Sequence, residues 1–225
     1  MEKKLKLEKR RVRITNKFIS LLSGGLDSPI AAYLMIKKSY TPVFLTFLTS
    51  DDEEYTLKKK VIKIVQTLVK YAKTNIKTYF INHDPNLEIF KKTCERKLTC
   101  ILCKRLMIRI AKEIGKIEKT NIIVTGDILG EQASQTLDNL FAYNDLLENF
   151  VLLRPLIGQD KLDIIKLNEK IGLYEITSQG SAGCQFNPQF PETHAKPNEI
   201  KGEELLINYD DLIKKSIEKA EILFF

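Results

Sequence analysis

Short apolar runs alternate along the chain with longer segments in which apolar residues return every three or four positions. Short runs are typical of buried strands, and the longer spacing is typical of amphipathic helices. The predicted strands occupy residues 18–22, 41–48, 76–81, 121–126 and 151–155. The predicted helices occupy residues 30–35, 54–73, 87–116 (one or two helices), 131–141 and 161–171. This alternation predicts an α/β fold with a doubly wound, mostly parallel sheet, helices on both faces, and a ligand site at the carboxyl ends of the strands.

The last part of the chain has a different character. Three prolines follow Gly180, and the apolar spacing from Tyr209 to Leu223 predicts an amphipathic helix. We interpret this part as an active-site flap with a covering helix. The predicted organisation is therefore a basic lead over residues 1–16, one main domain over 17–197, and a helical extension over 198–225.

Composition narrows the class of protein. The 225 residues are 44% hydrophobic and 29% charged, and the apolar runs are short, so we expect a soluble globular protein with no membrane association. The start of the chain is basic, but polar Thr15-Asn16-Lys17 follows it and glycines break the next apolar run. We therefore expect no secretory signal and a cytoplasmic location. The formal charge of +7 favours a polyanionic partner, although each Lys and Arg cluster fits a solvated helix face equally well.

The stretch Ser23-Gly24-Gly25-Leu26-Asp27-Ser28 joins the first predicted strand to the first predicted helix. One interpretation is a simple turn, in which the glycines accept unusual backbone angles and Ser28 caps the helix before Pro29. The other is a phosphate cradle, because free N–H groups at a helix N-terminus favour an anion. The agreement of strand, loop and helix favours the cradle.

The four cysteines point to metal or redox chemistry. Cys100 and Cys103 are three positions apart on a predicted helix, and the basic residues that follow them predict lowered thiol pKa values. The alternative is a pair of buried, unreactive thiols. Cys184 supplies a third thiol, either for an iron–sulfur cluster with one open iron or for a persulfide relay. Cys94 lies off this face, and we interpret it as a core residue or a spare thiol.

Three polar side chains allow more than one interpretation. Asp127 follows a predicted strand, where it suits Mg²⁺ or ribose binding or a helix cap. His83 and His194 are isolated in the sequence, which is typical of surface or hydrogen-bonded histidines rather than of metal ligands.

Three motifs carry a family resemblance. SGGLDS matches the phosphate loop (PP-loop) of ATP pyrophosphatases at its five specified positions, and two further stretches occur in order, TGDILGEQASQTLDNL at 125–140 and RPLIGQDKLDI at 154–164. Together they resemble the 4-thiouridine synthetase family of tRNA sulfurtransferases over about residues 17–197, in its ATP pyrophosphatase domain. The resemblance implies an adenine nucleotide alpha hydrolase-like fold. The family usually reads G-Q-V-A-S-Q-T where this chain has Glu131 and Gln132 after Gly130.

The resemblance implies roles for individual residues. Catalytic roles fall to Asp27, Lys161 and Cys184. An iron–sulfur cluster, as in archaeal-type members, would be held by Cys100, Cys103 and Cys184. The expected nucleotide-binding residues are Ser23, Gly24, Gly25, Asp27, Ser28, Phe47, Gly126, Asp127 and Gln132.

The implied activity is ATP-dependent sulfur transfer to tRNA. With ATP and Mg²⁺, a uridine carbonyl is adenylated and its oxygen is replaced by sulfur from sulfide or a persulfide carrier. We expect a stand-alone form without THUMP and rhodanese domains, and as further partners a separate RNA-binding subunit and a second copy in a homodimer. The alternatives are an adenylating ligase with a non-tRNA substrate, and a non-enzymatic nucleotide- or cluster-binding partner.

Overall fold

The computed structural model describes residues 16–49, 56–180 and 184–225. Its strands are β1 Lys17–Leu21, β2 Thr41–Leu48, β3 Lys77–Asn82, β4 Ile122–Val124, β5 Val151–Leu153 and β6 Glu221–Phe224. Its helices are α1 Asp27–Lys37, α2 Thr56–Ala72, α3 Asp84–Thr93, α4 Thr99–Ile117, α5 Leu137–Phe141, α6 Lys161–Lys170, α7 Tyr174–Thr177, α8 Pro197–Glu204 and α9 Tyr209–Glu218.

The described strands form one sheet in the order β5-β4-β1-β2-β3-β6. β1 to β5 run parallel, and β6 pairs antiparallel with β3. The chain moves outward from β1 to β3 and then crosses to β4 on the other side of β1. Loops at the carboxyl ends of β1 and β4 therefore meet at the point where the strand order reverses, which is where such sheets bind ligands. The predicted fold class is confirmed.

The alternation of side chains along each strand divides the core between the two faces of the sheet. Phe18, Phe44 and Phe80 point to the face that α1, α2 and α6 cover. Their neighbours Ile19 and Leu45 point to the opposite face, which α3, α4 and α9 cover. Because both faces are buried, these strands read as continuous apolar runs.

The end of the chain departs from the sequence prediction. The predicted amphipathic helix from Tyr209 to Leu223 stops at Glu218, and Glu221–Phe224 forms the strand β6 instead. The open edge of β3 supplies the hydrogen-bond partners for this strand, with Tyr79 opposite Ile222. A helical periodicity carries no information about a free strand edge elsewhere in the fold.

One predicted helix is also shorter than expected, and another is observed as two helices, one of the two forms predicted. Residues 131–141 hold a full helix only over Leu137–Phe141, whose N-terminus is capped by the Thr136 hydroxyl. The segment 87–116 is divided where Cys94 and Glu95 adopt extended backbone angles between α3 and α4. The predicted lead lies outside the described residues up to position 15, as do residues 50–55 and 181–183. No helix in the described ranges combines the length and the apolarity that a membrane crossing needs.

Candidate functional site

The loop between β1 and α1 is closed by its two serines. The Ser28 hydroxyl accepts a hydrogen bond from the Ser23 backbone N–H at 2.8 Å, and the two serine hydroxyl oxygens lie 3.0 Å apart. Helix α1 begins at Asp27, two residues earlier than the predicted cap implies, and no side chain caps it. Ser28 is therefore not the N-cap. Its hydroxyl holds the loop shut and leaves N–H groups at the start of α1 for another acceptor.

Neither Gly24 nor Gly25 has a positive φ, so the backbone angles of the loop do not require glycine at these positions. This is contrary to the turn interpretation. Gly24 packs closely, because a Cβ there would lie 2.8 Å from the Leu57 side chain and 3.2 Å from that of Lys60. A Cβ on Gly25 would meet only the Ser23 hydroxyl, at 3.6 Å. The backbone at Gly25 is thus open to close approach by a ligand, as a phosphate cradle requires.

Asp27 and Lys161 form an ion pair beside this loop. The Lys161 Nζ lies 2.7 Å from Asp27 Oδ1 and 3.2 Å from Glu131 Oε1. Partial burial would lower the pKa of Lys161, but the hydrogen bond and charge of Asp27, followed by those of Glu131, outweigh burial and raise the pKa. In the sequence, 134 positions separate Asp27 from Lys161. The fold brings them into contact because α6 starts next to the start of α1.

Gly126 and Asp127 follow β4 and lie against the same loop. A Cβ on Gly126 would fall 2.6 Å from the backbone N and Cα of Ser28, so only glycine lets the end of β4 pack here. Both carboxylate oxygens of buried Asp127 are engaged, with Lys104 on one and Thr125 and Arg154 on the other. The cap interpretation of Asp127 is wrong, because its partners are two cations, a hydroxyl and the Gln135 side-chain amide. Burial would raise its pKa, but the charge and hydrogen bond of Lys104 dominate and lower it.

One cleft of about 740 Å³ contains most of the predicted site residues. At one end it is lined by Ser23, Asp27, Ser28, Gly126, Asp127 and Gln132, and at the other by Cys100, Cys103 and Cys184. Lys161 reaches this cleft through its contact with Asp27. Gly24 and Gly25 are not part of the lining. Neither is Phe47, whose ring packs edge-on against His83 with centroids 4.8 Å apart.

At the cysteine end of the cleft, burial outweighs the nearby positive charges of Arg96 and Lys104. Burial, together with the neighbouring Cys184, raises the pKa of Cys100 to about 11, and burial raises that of Cys103 further. The prediction of lowered thiol pKa values is therefore wrong for this ligand-free structure. The physical reason is that the cations after the pair point elsewhere, since Lys104 binds Asp127, and Arg105 binds Asp145 and Glu204.

His83, interpreted from the sequence as a surface or hydrogen-bonded residue rather than a ligand, is fully buried at the end of β3. Its Nε2 lies 3.3 Å from Cys103 Sγ, and its Nδ1 lies 3.2 Å from Asn86 Nδ2. Burial lowers the pKa of His83 to about 3, so the ring is neutral. An isolated histidine gives no sequence signal of such a contact, although its position directly after an apolar strand indicates the ligand edge of the sheet. His194, by contrast, is exposed and pairs with Asp138.

The loop that carries Cys184 is held to the cysteine helix α4. Phe186 is buried in the core, and its carbonyl accepts a hydrogen bond from Arg96 at 3.1 Å. The Cys100 thiol donates to Asn187 Oδ1 at 3.1 Å. Cys94 lies outside α4 and is buried, with its thiol directed at the Glu203 carbonyl. Its interpretation as a core residue agrees with this position.

The donor atoms present can be compared with the groups expected. Across residues 16–49, 56–180 and 184–225, no three His, Cys, Asp or Glu side chains converge closely enough to hold a metal ion. Cys100, Cys103 and Cys184 do share one wall of the cleft, and thiolate sulfur is the donor that iron–sulfur clusters use. The residues therefore fit such a cluster in donor type and line one cleft.

Comparison with known proteins identifies the family. The model of the thiamine biosynthesis protein (ThiI) family matches residues 14–209. The chain belongs to this family. A protein of Methanosarcina mazei named "Probable tRNA sulfurtransferase" is 38% identical over 92% of this chain and 51% of its own length. One of Methanocaldococcus jannaschii with the same name is 39% identical over 82% of this chain and 48% of its own length.

A solved structure agrees with this assignment. The crystal structure of a 4-thiouridine synthetase–RNA complex with bound ATP superposes with a TM-score of 0.86 at 26% identity, over 93% of this chain and 55% of that one. The predicted family is thus confirmed. The chain spans about half the length of the curated ThiI-family relatives that it matches.

Proposed function

We propose that this chain binds ATP at the loop formed by residues 23–28 and uses it to replace a uridine carbonyl oxygen of tRNA with sulfur. The observation that carries the proposal is the single cleft with two chemically distinct ends. One end presents the glycine loop with Asp27 and Lys161, and the other presents three cysteines. Activation of an oxygen and delivery of sulfur require both in one place.

The loop end suits phosphoryl transfer. The start of α1 offers N–H groups to phosphate oxygens, and the open backbone at Gly25 lets those oxygens approach. The Lys161 ammonium stands beside the loop, where it can neutralise charge that develops on the phosphates. The uridine O4 attacks the α-phosphorus, pyrophosphate leaves with the electrons of the broken P–O bond, and the N3 proton is lost to solvent.

The second half of the reaction exchanges the activated oxygen. Hydrosulfide, or the terminal sulfur of a persulfide carrier, attacks C4 of the adenylated base and forms a C–S bond. On the persulfide route a second thiol then attacks the carrier sulfur, forms a disulfide with it and breaks the S–S bond to the base. AMP then leaves with the electrons of the C–O bond, and a proton returns to N3. Adenylation makes this step feasible because AMP is a far better leaving group than an oxide-like oxygen.

The cysteine end would supply the sulfur. If Cys100, Cys103 and Cys184 hold an iron–sulfur cluster, that cluster supplies a site where exogenous sulfide can bind. This chain's own contribution is to place the three thiols on one wall and to limit water, since burial dominates the pKa of both Cys100 and Cys103. A persulfide on Cys184 is the alternative route, and the cysteine variants described in the Discussion separate the two.

Two comparisons support tRNA as the substrate. The curated relatives bear the name of a tRNA sulfurtransferase, and the superposed 4-thiouridine synthetase is a complex with RNA and ATP. The net charge of +7 agrees with a polyanionic partner. Because the chain spans about half of these proteins, the assignment of substrate and of any further RNA-binding partner or homodimer is part of the proposal.

The experiment combines anaerobic protein, ATP, Mg²⁺ and sulfide with unmodified tRNA, with and without an added RNA-binding partner. We expect AMP, pyrophosphate and 4-thiouridine to form together, the last detected by its mass. A reaction without ATP is the matched control. Pyrophosphate release with another acceptor, while tRNA stays unmodified in every mixture, would refute the tRNA assignment and leave the adenylating activity.

A further inference from the structure

We propose that Glu131 makes the nucleotide site selective for metal-chelated over metal-free triphosphate. The inference rests on the proposed function, because it assumes that ATP binds at the loop formed by residues 23–28. The sequence motifs left Glu131 without a role. The proposed role is to discriminate between two forms of one ligand, which binding measurements alone can detect.

The carboxylates of Asp27 and Glu131 both contact the ammonium group of Lys161. Lys161 Nζ lies 2.7 Å from Asp27 Oδ1 and 3.2 Å from Glu131 Oε1. The group of three carries a formal charge of −1, so it does not attract an anion on its own. The Glu131 side chain is 39% exposed, compared with 20% for Asp27, and is therefore the carboxylate nearer to solvent.

The backbone holds Glu131 in this place. Gly130 has a φ of +75°, which favours glycine, and its N–H donates to the Gln135 carbonyl at 3.0 Å. The Glu131 N–H donates to the Ile128 carbonyl at 3.3 Å, and the Leu129 N–H donates to the Ile157 carbonyl at 3.1 Å. The turn therefore fixes the Glu131 backbone, and from there the carboxylate contacts Lys161.

A triphosphate that reaches the loop must compete with both carboxylates for Lys161. Metal-free ATP brings up to four negative charges next to Asp27 and Glu131, and like charges at such distances repel strongly in a partly buried site. Mg²⁺ removes two of these charges. It also binds to proteins through one or two carboxylates together with substrate phosphates and water, which matches the pair offered here. Glu131 thus opposes the bare nucleotide and tolerates the chelated one.

The experiment measures binding of α,β-methylene ATP by calorimetry, in excess Mg²⁺ and in excess EDTA. The variant is Glu131→Gln, which removes one charge at constant size. The matched control is Glu169→Gln, an exposed residue on the same helix as Lys161. We expect Glu131→Gln to bind the metal-free analogue about tenfold more tightly than wild type, with little gain in Mg²⁺, so that the ratio of the two affinities falls. The control should leave both affinities unchanged.

The outcomes are distinguishable. If Glu131→Gln leaves the ratio of the two affinities unchanged, or shifts both equally, the inference is wrong while nucleotide binding at the loop stands. If the wild-type protein binds the analogue under neither condition, the proposed function fails and this inference fails with it. Thermal unfolding of the ligand-free variants checks that neither substitution disturbs the fold.

Discussion

The two ends of the cleft differ in how far they are assembled without a ligand. At the nucleotide end, charged groups already face each other, with Asp27 on Lys161 and Asp127 on Lys104 and Arg154. At the cysteine end, Cys100 has a raised pKa because burial outweighs the nearby Arg96 charge, and His83 is neutral. The nucleotide end is therefore stabilised by its own ion pairs, whereas burial at the cysteine end favours the neutral form of the thiols.

This difference indicates which additional groups each end requires for its chemistry. Carboxylates and ammonium ions neutralise one another, so the nucleotide end is stable but must exchange partners when phosphates arrive. Buried thiols are stable only while protonated, so deprotonation at the cysteine end requires a positive centre such as iron or another electrophile. The predictions below break one end at a time, from the largest expected effect to the smallest.

The largest effect is expected for Asp27→Asn at the nucleotide end. The change removes the charge that holds Lys161 and the loop's only carboxylate, while the amide preserves size. We expect ATP–pyrophosphate exchange to fall by at least about a hundredfold. Asp163→Asn, an exposed carboxylate on α6, is the control. Activity close to wild type in Asp27→Asn would remove Asp27 from the mechanism.

The cysteine end is tested by single Cys→Ala variants purified anaerobically. We expect iron and acid-labile sulfide to be lost in the Cys100, Cys103 and Cys184 variants, because each removes one of three thiolate ligands. Cys94→Ala is the matched control, since Cys94 is buried against Glu203 and away from the cleft. Exchange of ATP and pyrophosphate should persist in all four. Full iron content in Cys184→Ala would favour the persulfide route.

An intermediate effect is expected for Asp127→Asn, also at the nucleotide end. The substitution leaves the Lys104 and Arg154 charges in a partly buried site without their counter-ion. Loss of one partner from such a group costs about 3 kcal/mol of unfolding free energy. Asp163→Asn serves as the control here as well, with an expected change near zero. Urea unfolding at neutral pH measures both.

The pH dependence of this contribution has a defined sign. The pKa of Asp127 is lowered in the folded protein, so the carboxylate stabilises the fold above its unfolded pKa of about 3.9. The contribution is lost as the pH falls from there through the folded pKa. The difference in stability between wild type and Asp127→Asn should therefore shrink in acid. A difference that stays constant down to the acid transition would contradict the ion-pair role.

The smallest effect is expected for Gly126→Ala. The added Cβ would lie 2.6 Å from the Ser28 backbone, so the end of β4 and the start of α1 must separate. We expect a loss of about 1–3 kcal/mol in unfolding free energy together with weaker ATP binding. Gly158→Ala is the control, because nothing lies within 4 Å of its Cβ and its φ is not positive. Equal stability of the two variants would show that the backbone at Ser28 can move away from the added Cβ at little cost in free energy.

The sequence by itself determined the elements whose signals are local. The apolar runs at β1 and β2, the glycine loop before α1, and the alternation of β1 to β5 with helices were predicted, because burial on both faces of a parallel sheet leaves a direct pattern in the residues. The family motifs likewise identified Asp27, Lys161 and Cys184 as candidates. These signals need no knowledge of which distant segments meet.

Only the tertiary structure decided the contacts between distant segments. Nothing near Glu131 in the sequence indicates that its carboxylate shares Lys161 with Asp27, and nothing near His83 indicates that it faces Cys103. The strand β6 and the raised pKa of Cys100 have the same origin, since a free sheet edge and burial are properties of the packed chain. Local patterns specify which residues are buried, whereas long-range packing decides which charges and thiols lie together.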